Sequence, residues 1–369
     1  MKIAVLSSHT PSLFWFRADM MLAFKKIGCE VVAVGNEPEE IWKNKFDDLG
    51  ITYRKIEVNR NGTNPLSDIK TLFSIRNVLR EERPDKIFCY QAKTVIYGCL
   101  SAKMLGIKEV YPLIAGVGSA FLAKGFKASV IKNILVAEYR LSLKFAKRIF
   151  FQNKDDSQTF VELKIISPES IVYINGSGVN TEIFQPTALP NAPVFLNISR
   201  LIKDKGIREY LEACRIVRNE HPEYRCLLVG PFDTNPTALT QEELSSYIDD
   251  GSVEYFGEQF DVKPFIDQCS IYVLPSYHEG TPKTVLEAMS CGRAVITTDA
   301  PGCRETVRNG FNGLLVPPTD HNKLAEAMLE LAEKTDLVKA MGINGRKMAE
   351  EKFSVKIVNN TIIETMNIN

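Results

Sequence analysis

Short apolar runs alternate with helical segments along most of the chain, and this rhythm limits the possible folds more than any other feature. In the first half, the apolar runs predict strands within residues 3–6, 30–34, 51–58, 85–89, 109–114, 148–152 and 171–174. The segments between them predict helices at residues 17–27, 69–82, 94–105, 129–146 and 155–163. Strands that alternate with helices in this way predict an α/β fold built on a doubly wound parallel sheet.

A proline-rich segment separates this half from a second half of the same kind. Residues 185–193 hold three prolines without apolar periodicity, which is typical of a linker. Beyond it the sequence predicts strands at residues 194–199, 225–229, 253–256, 271–275 and 294–297. Further helices are predicted at residues 207–218, 262–268, 282–292, 320–332, 335–351 and 354–366.

The chain is therefore expected to form two Rossmann-like domains. We predict that residues 1–186 form the first domain and residues 187–353 the second, with the C-terminal helix of residues 354–369 packed back onto the first. Two such domains joined by a short linker are expected to leave a cleft, which is a usual place for a ligand.

The composition is that of an ordinary globular protein. The 369 residues are 45% hydrophobic and 24% charged, and they suffice for two complete cores. No apolar run has the length of a membrane-spanning helix, and the first residues have the apolar length of a strand, not of a secretory signal. The eight cysteines are scattered without paired spacing, so we expect reduced thiols in a cytoplasmic protein and no metal site.

The formal net charge of zero hides an uneven distribution along the chain. Residues 1–188 carry 26 basic and 19 acidic side chains, and the remainder carries 19 basic and 26 acidic ones, so the two parts have balances of +7 and −7. An excess of positive charge in the first half suggests an anionic partner, either a membrane surface or a nucleic acid.

Much of the basic excess lies between residues 121 and 148, where apolar side chains are interleaved with Lys124, Lys127 and Lys132. A basic helix with an apolar side is able to lie on an anionic membrane surface. The alternative is a helix packed on the first domain with a solvated basic face, and the sequence leaves both open. Nucleic acid is a poorer interpretation, because no recognisable binding module accompanies the charge.

Residues 276–298 hold two candidate carboxylates between two predicted buried strands. Glu279 lies in the strand-to-helix loop, and Glu287 lies on the helix that Pro282 begins and Gly292 ends. Loops at the carboxyl ends of parallel strands bind ligands in open α/β sheets, and the amino end of a helix can hold an anion. The structural alternative is a capping carboxylate followed by a solvated helical glutamate.

A second candidate site follows the first strand of the second half. Arg200 and Lys205 flank a predicted strand-to-helix turn, where a cationic pair beside backbone amides suits a diphosphate. Solvated surface cations are the structural alternative. Gly230 and Gly257 stand at strand ends in the same half, where glycine permits the close approach of a ligand or simply forms a turn.

A glycine-containing loop in the first half carries the remaining candidates. Gly116-Val-Gly118-Ser119-Ala-Phe121 begins like a dinucleotide fingerprint, but Phe121 replaces the third glycine and the loop does not follow the first strand. We interpret it as a flexible, ligand-facing loop and not as an NAD site. Together with Lys93, its residues Gly116, Gly118 and Ser119 are candidates for the acceptor side of the site.

With these residues in view, the chain resembles the family-4 retaining glycosyltransferases of the GT-B fold over essentially its whole length. Glu279 to Glu287 match the Glu-x7-Glu element of the family, and Arg200 with Lys205-Gly206 match its phosphate clamp. Within the family, the loop at residues 116–119 and the basic helix are similar to those of bacterial N-acetylgalactosaminyltransferases that act on polyprenyl-diphosphate-linked saccharides.

The chain departs from many members of the family at two positions in the first half. Residues 10–14 replace a pair of glycines after the first strand, and Ala115 replaces a histidine before the glycine-containing loop. The resemblance therefore leaves open which residues of the first domain contact the phosphate and the sugar of the donor.

The resemblance implies transfer of a sugar from a UDP-sugar with retention at the anomeric carbon and without a metal or other cofactor. Arg200 and Lys205 would stabilise the departing diphosphate, and Glu287 would bind the ribose hydroxyls. Glu279 would orient the donor sugar together with the residues that follow it, Gly280, Thr281, Pro282, Lys283 and Thr284.

The implied donor sugar is an N-acetylhexosamine, with N-acetylgalactosamine favoured, and the implied acceptor is an undecaprenyl-diphosphate-linked saccharide at the inner face of the plasma membrane. UDP-glucose, UDP-N-acetylglucosamine or a GDP-sugar are alternative donors, and a nucleotide-sugar epimerase is an alternative activity. An inactive sugar-nucleotide-binding protein is disfavoured, because all four charged residues of the motifs are present.

Overall fold

The computed structural model describes residues 1–59, 64–118, 121 and 125–368, apart from the side chain of residue 127. The chain divides into two compact units. Unit 1 comprises Met1–Ser177 with Val358–Asn369, and unit 2 comprises Gly178–Ile357.

The predicted domain boundary at residues 186 and 187 differs from the division in the structure, which assigns residues 178–186 to unit 2. The amide of Val179 donates to the carbonyl of Phe353 at 2.8 Å, and the amide of Val355 donates to Val179 at 3.0 Å. These backbone bonds attach the chain to unit 2 before the proline-rich segment begins.

The proline-rich segment, predicted as a linker, has no helix or strand but is attached to unit 2. The side chain of Arg293 is fully buried and donates to the carbonyl of Thr187 at 3.1 Å and to that of Ile266 at 3.0 Å. A buried guanidinium needs several acceptors, and the carbonyls of this segment supply some of them.

Unit 1 contains a parallel sheet in the order β3-β2-β1-β4-β5-β6-β7. Its strands are β1 Lys2–Ser7, β2 Glu30–Gly35, β3 Thr52–Lys55, β4 Lys86–Tyr90, β5 Val110–Ile114, β6 Ile149–Phe151 and β7 Ile171–Tyr173. The central strands are buried apolar runs, as expected for a sheet covered on both faces. The strand predicted at residues 51–58 is shorter, because only residues 52–55 pair with β2.

Helices cover both faces of this sheet. They are Thr10–Lys26, Glu39–Asp47, Pro65–Glu82, Ala92–Leu105, Phe126–Ser142 and Lys154–Glu162, with the C-terminal helix Val355–Thr365 adding its apolar side chains from Val358 onwards. The first helix begins at Thr10 and not at the predicted residue 17, since Pro11 lies in its first turn. The helix Glu39–Asp47 was not predicted, because it buries only Trp42 and Phe46.

Unit 2 contains a second parallel sheet, in the order β10-β9-β8-β11-β12-β13. Its strands are β8 Val194–Ile198, β9 Arg225–Val229, β10 Glu254–Tyr255, β11 Ile271–Leu274, β12 Ala294–Thr298 and β13 Gly313–Val316. Its helices are Ile207–Glu220, Gln241–Asp249, Lys263–Gln268, Lys283–Ser290, His321–Ala332 and Thr335–Glu351.

Two elements of unit 2 were not predicted. Strand β13 has only four residues, two of them buried. The helix Gln241–Asp249 buries only Leu244, although Thr240 and Glu243 form a capping box that marks its start. Both elements lack the apolar periodicity on which the prediction depended.

Each sheet has one point at which the strand order changes direction, between β1 and β4 in unit 1 and between β8 and β11 in unit 2. We call these the unit 1 switch point and the unit 2 switch point. Ligands of open α/β sheets bind outside the carboxyl ends of the strands at such a point. Over the described part of the chain, the helices lack the length and apolar character needed to cross a membrane.

Candidate active site

The unit 2 switch point brings Lys205 and Glu279 together, although they are 74 residues apart in sequence. Lys205 lies in the turn after β8, and Glu279 lies in the loop after β11. The ammonium of Lys205 donates to Oε1 of Glu279, and the hydroxyl of Ser276 donates to the same oxygen at 2.8 Å. The two charged side chains are 21% and 12% exposed, so the ion pair is partly shielded but still reachable from solvent.

Close backbone packing fixes the turn after β8 against the loop after β11. Gly206 has a φ of +65°, and a Cβ atom there would lie 2.0 Å from the carbonyl oxygen of Pro275. The amide of Tyr277 donates to the carbonyl of Asp204 at 2.9 Å. Only glycine allows this approach, so Gly206 positions Lys205 beside Glu279.

A second glycine fixes Glu279 from its other side. The amide of Glu279 donates to the carbonyl of Pro301 at 2.9 Å. A Cβ atom on Gly302 would lie 2.1 Å from the carbonyl oxygen of Glu279. Gly302 is thus a positioning residue that was not among the predicted site residues, although its Pro-Gly dipeptide is a recognisable turn signal.

Glu287 lies on the helix Lys283–Ser290 and is 6% exposed, so the alternative of a solvated helical glutamate is wrong. Burial raises the pKa of its carboxyl to about 7, an effect that Lys283 partly opposes from 3.7 Å. A carboxyl in this state is poised to accept hydrogen bonds from a ligand, because such bonds stabilise its charged form. Pro282 precedes the helix by one residue and does not occupy its first position.

Arg200 and Lys205, predicted as a cationic pair, have different partners. Arg200 Nη1 lies 2.8 Å from Oδ2 of Asp233, a residue of the loop after β9, and its side chain is 47% exposed. Asp233 was not among the predicted site residues. An exposed ion pair of this kind contributes only about 0–1 kcal/mol, so Arg200 is easily drawn away by an anion.

The remaining residues predicted to bind the donor lie around the same edge of the unit 2 sheet. The amide of Gly230 donates to the carbonyl of Gly257 at 2.8 Å, which ties two strand ends together. The hydroxyl of Tyr272 donates to Thr284 Oγ1 at 2.6 Å, so this threonine is anchored to β11. Thr281 is buried, and Gly280 is half-buried beside Glu279.

In unit 1, the structure describes only part of the predicted acceptor-side set. Lys93 forms an ion pair with Asp68 at 2.5 Å. Gly116 is half-buried and Gly118 exposed, whereas Val117 and Phe121 are buried in the unit 1 core. Ser119 lies outside the described residues, and the flexible, ligand-facing loop stays a prediction.

The predicted basic helix is Phe126–Ser142, and it both packs on unit 1 and exposes apolar side chains. Val136 and Tyr139 are buried in the unit 1 core. The exposed side chains include Phe126 at 86%, Ile134 at 56% and Leu141 at 55%. Lys124 and the side chain of Lys127 lie outside the described residues, and Lys132 Nζ lies 5.7 Å from the ring of Phe121.

Within the described ranges, no three His, Cys, Asp or Glu side chains are grouped closely enough to hold a metal ion.

Comparisons with known proteins agree with this division of the chain. Residues 179–348 match the family described as glycosyl transferases group 1, and residues 2–153 match the family described as glycosyl transferase 4-like. The chain is 30% identical to the N,N'-diacetylbacillosaminyl-diphospho-undecaprenol alpha-1,3-N-acetylgalactosaminyltransferase of Campylobacter jejuni, over 91% of each protein. It is 23% identical to the UDP-Gal:alpha-D-GlcNAc-diphosphoundecaprenol alpha-1,3-galactosyltransferase of Escherichia coli, over 79% of this chain and 77% of that protein.

Solved structures show the same fold at low sequence identity. The sucrose-phosphate synthase of Thermosynechococcus elongatus has a TM-score of 0.82 at 17% identity, over 100% of this chain and 98% of that one. Anabaena HepE, solved with UDP and glucose, has a TM-score of 0.81 at 18% identity, over 100% and 99%. With two parallel-sheet units of the GT-B fold, the chain belongs to the family-4 glycosyltransferases.

Proposed function

We propose that this glycosyltransferase transfers a sugar, with retention, from a UDP-sugar to an undecaprenyl-diphosphate-linked saccharide during assembly of a bacterial surface glycan. The observation that carries the proposal is the Lys205–Glu279 pair at the unit 2 switch point. It combines a cation for a leaving diphosphate with a carboxylate beside the place where a donor sugar would lie.

The cations act on the bond that breaks. As the sugar leaves the nucleotide, negative charge grows on the diphosphate, and a cation held in place stabilises that charge in the transition state. Lys205 is held by Glu279, and Arg200 by the weaker pair with Asp233. The amino end of the helix Lys283–Ser290 adds a favourable dipole, so we propose that no metal is needed.

The carboxylates act on the ligand rather than as covalent nucleophiles. Glu279 accepts hydrogen bonds from the donor sugar and fixes its orientation, while Lys205 turns to the diphosphate. Glu287 binds the ribose hydroxyls, and its buried carboxyl ionises as they donate to it. The acceptor hydroxyl attacks from the side of the departing phosphate, which takes the proton, and retention follows.

Two relatives support the substrate classes. The names of the Campylobacter jejuni and Escherichia coli enzymes describe acceptors linked to diphosphoundecaprenol. The first relative transfers N-acetylgalactosamine, which favours UDP-N-acetylgalactosamine as the donor here, and HepE was solved with UDP. We propose that Thr281 and Lys283, which follow Glu279 in the chain, contact the sugar, since small differences in a pocket decide between donors.

A lipid-linked acceptor would bring the enzyme to a membrane surface, and the exposed apolar side chains of the helix Phe126–Ser142 support the proposal of peripheral attachment. Its exposed Phe126, Ile134 and Leu141 provide an apolar contact with lipid. Lys124, Lys127 and Lys132 provide attraction to anionic lipids. Charge reversal at these three lysines is expected to reduce co-flotation with anionic vesicles, and unchanged flotation would leave the helix as a solvated face.

A donor panel tests the proposed function. UDP-N-acetylgalactosamine, UDP-N-acetylglucosamine, UDP-glucose, UDP-galactose and a GDP-sugar are each incubated with the enzyme and a diphosphoundecaprenol-linked saccharide, in the presence and absence of EDTA. We expect transfer from a UDP-N-acetylhexosamine, with an α-linked product detected by NMR and no loss with EDTA. Conversion of the donor without an acceptor would instead favour an epimerase, and loss with EDTA would contradict metal independence.

A further inference from the structure

Arg17 is a buried cation in unit 1 that has no counter-ion among the described residues. It lies on the helix Thr10–Lys26 and is 3% exposed. Its guanidinium carbon lies 5.7 Å from the centre of the Phe88 ring and 5.3 Å from that of Tyr90. Its Nε atom is sealed from solvent without a hydrogen-bond partner, and no carboxylate of the described residues forms an ion pair with it.

The two aromatic rings offset only part of the cost of burying this charge. A buried ion is normally paired and hydrogen-bonded, because removing it from water costs more free energy than a cation–π contact supplies. Burial lowers the pKa of Arg17 to about 10, so the guanidinium still carries its charge at neutral pH. The described side chains therefore compensate the buried charge of Arg17 only in part.

The position of Arg17 is one where ligands bind. Its helix starts directly after β1, and Tyr90 is the last residue of β4, so the guanidinium lies at the unit 1 switch point. Side chains on a helix lean towards its amino end, which here is the carboxyl edge of the sheet. Unlike Nε, the two Nη atoms are not among the buried unpaired atoms of the described residues. They have no described hydrogen-bond partner either, so they remain open to a ligand.

The neighbouring polar side chains are neutral. The hydroxyls of Tyr90 and Ser12 are 2.8 Å apart, and those of Ser12 and Ser7 are 3.0 Å apart. Ser7 and Ser8 donate to Oε1 of Gln91 at 2.9 and 2.7 Å. This chain of hydroxyl and amide groups can reorient donors towards an anion, and it contains no carboxylate that would repel one.

We propose that Arg17 is the cation of an oxyanion subsite at the unit 1 switch point, which binds a phosphate group of a diphosphate ester. The subsite itself follows from unit 1 alone, whereas the diphosphate of the lipid-linked acceptor is named as its source on the strength of the proposed function. Arg17 binds the substrate in this account and does not act on the bond that breaks.

Direct binding of inorganic pyrophosphate tests the subsite without any assay of transfer. The parent is the Arg200→Ala/Lys205→Ala variant, which removes the proposed anion site of unit 2. Adding Arg17→Met should weaken the remaining pyrophosphate binding at least about tenfold, whereas Arg17→Lys should keep most of it. The matched control Arg76→Met removes another guanidinium of unit 1 whose Nε is also buried and unpaired, and it should change nothing. Equal binding by the parent and its Arg17→Met form would overturn the proposal.

A measurement on the unaltered protein covers the case in which Arg17→Met does not fold. The side-chain NMR signals of Arg17 should shift on titration with pyrophosphate, with the same midpoint as pyrophosphate binding by the Arg200→Ala/Lys205→Ala variant. Signals of Arg17 that stay unchanged at saturating pyrophosphate would overturn the subsite.

Kinetics then identify the source of the phosphate. In the Arg17→Met variant, the KM for the diphosphate-linked acceptor should rise at least about tenfold while the KM for the donor stays constant, and Arg17→Lys should raise the acceptor KM far less. A rise in the KM for the donor alone would overturn the acceptor as the source. Unaltered values for both, in folded variants, would overturn the role in substrate binding. If the unaltered enzyme transfers no sugar at all, the proposed function fails, and the pyrophosphate titration still decides the subsite.

Discussion

The two switch points have the same topology but opposite electrostatic designs. At the unit 2 switch point a cation and a carboxylate form a pair, Lys205 with Glu279, that stays partly exposed. At the unit 1 switch point the cation, Arg17, is buried against the rings of Phe88 and Tyr90, and none of the described carboxylates forms an ion pair with it. The fold thus supplies equivalent positions, and the side chains placed there decide what each position binds.

The difference in charged groups between the two switch points bears on which unit holds the proposed catalytic residues. A carboxylate next to a cation can hold a neutral sugar while the cation turns to the leaving diphosphate, which is what bond cleavage requires. A lone cation among neutral donors binds an anion but offers no group to orient a sugar. The proposed function therefore puts the reaction in unit 2, and the proposed subsite puts substrate anchoring in unit 1.

The largest expected effect is that of Glu279→Ala. Removal of the carboxylate leaves the donor sugar without its orienting group and frees Lys205, so turnover should fall about 1000-fold. Binding of UDP, measured by calorimetry, should persist. Ser276→Ala, which removes only the second hydrogen bond to Glu279, is the matched control and should cost far less. Normal turnover by Glu279→Ala would show that transfer does not need the carboxylate at the unit 2 switch point. The difference between the two switch points would then have no catalytic meaning.

The next effect separates the two cations of unit 2. Lys205→Ala should lower kcat by about 100-fold, because the proposed function puts its cation on the diphosphate that leaves. Arg200→Ala should cost only about tenfold, because its side chain is 47% exposed and paired with Asp233 in the ligand-free protein. Steady-state kinetics of both variants decide the order. An equal loss of kcat in both variants would contradict this order. It would show that the ion pairs of Lys205 with Glu279 and of Arg200 with Asp233 do not predict how much each cation contributes to catalysis.

Glu287 gives a smaller, pH-dependent effect. Since burial raises its pKa to about 7, nucleotide binding requires ionisation of the carboxyl and should weaken as the pH falls below that value. UDP-sugar affinity, measured by calorimetry, should fall by up to about tenfold per pH unit below the pKa and stay constant above it. Glu287→Gln should bind more weakly but without this pH dependence, and an unchanged pH profile in that variant would contradict the assignment.

The same carboxyl predicts how stability depends on pH. Because the folded pKa exceeds the ordinary value of 4.5, the unfolded chain ionises first as the pH rises. The ligand-free protein should therefore lose stability relative to Glu287→Gln between about pH 4.5 and 7, and the difference should then stay constant. Thermal unfolding of both proteins across this range measures it.

The smallest effect concerns the unit 1 switch point. Gln91 has a φ of +71°, which is strained for a residue other than glycine, and its side chain accepts from Ser7 and Ser8. In Gln91→Gly the relief of strain and the loss of hydrogen bonds nearly cancel, so the Tm should change by only a few degrees. The KM for the acceptor should rise several-fold while that for the donor stays constant. A change in the KM for the donor alone would contradict the division of roles.

Much of the fold was predictable from the sequence, and the missed parts share a cause. Buried parallel strands such as β1 and β11 are continuous apolar runs, so their position and type follow from the pattern alone. The helix Glu39–Asp47 and strand β13 bury too few side chains to leave a periodic signal. Residues 178–186 belong to unit 2 through backbone hydrogen bonds to Phe353 and Val355. Backbone hydrogen bonds of this kind leave no side-chain pattern in the sequence, so they could not be predicted from it.

The candidate site was predictable in its charged residues but not in their pairing. Glu279, Lys205 and Arg200 stand at strand ends in the sequence, where ligands are expected. Their partners depend on tertiary contacts. The close approaches at Gly206 and Gly302 bring Lys205 to Glu279, whereas Arg200 pairs with Asp233. Nothing in the sequence distinguishes Arg17 from other helical arginines. Its burial, and the lack of an acidic partner among the described residues, become visible only in the folded unit.

The central claim is that the unit 2 switch point binds the donor with Lys205 on the diphosphate and Glu279 on the sugar. A crystal structure with an intact UDP-sugar tests it most directly. We predict that a diphosphate oxygen lies about 3 Å from Lys205 Nζ and that a sugar hydroxyl donates to the carboxylate of Glu279. A nucleotide bound away from the carboxyl ends of β8 and β11, with the Lys205–Glu279 pair undisturbed, would contradict the claim.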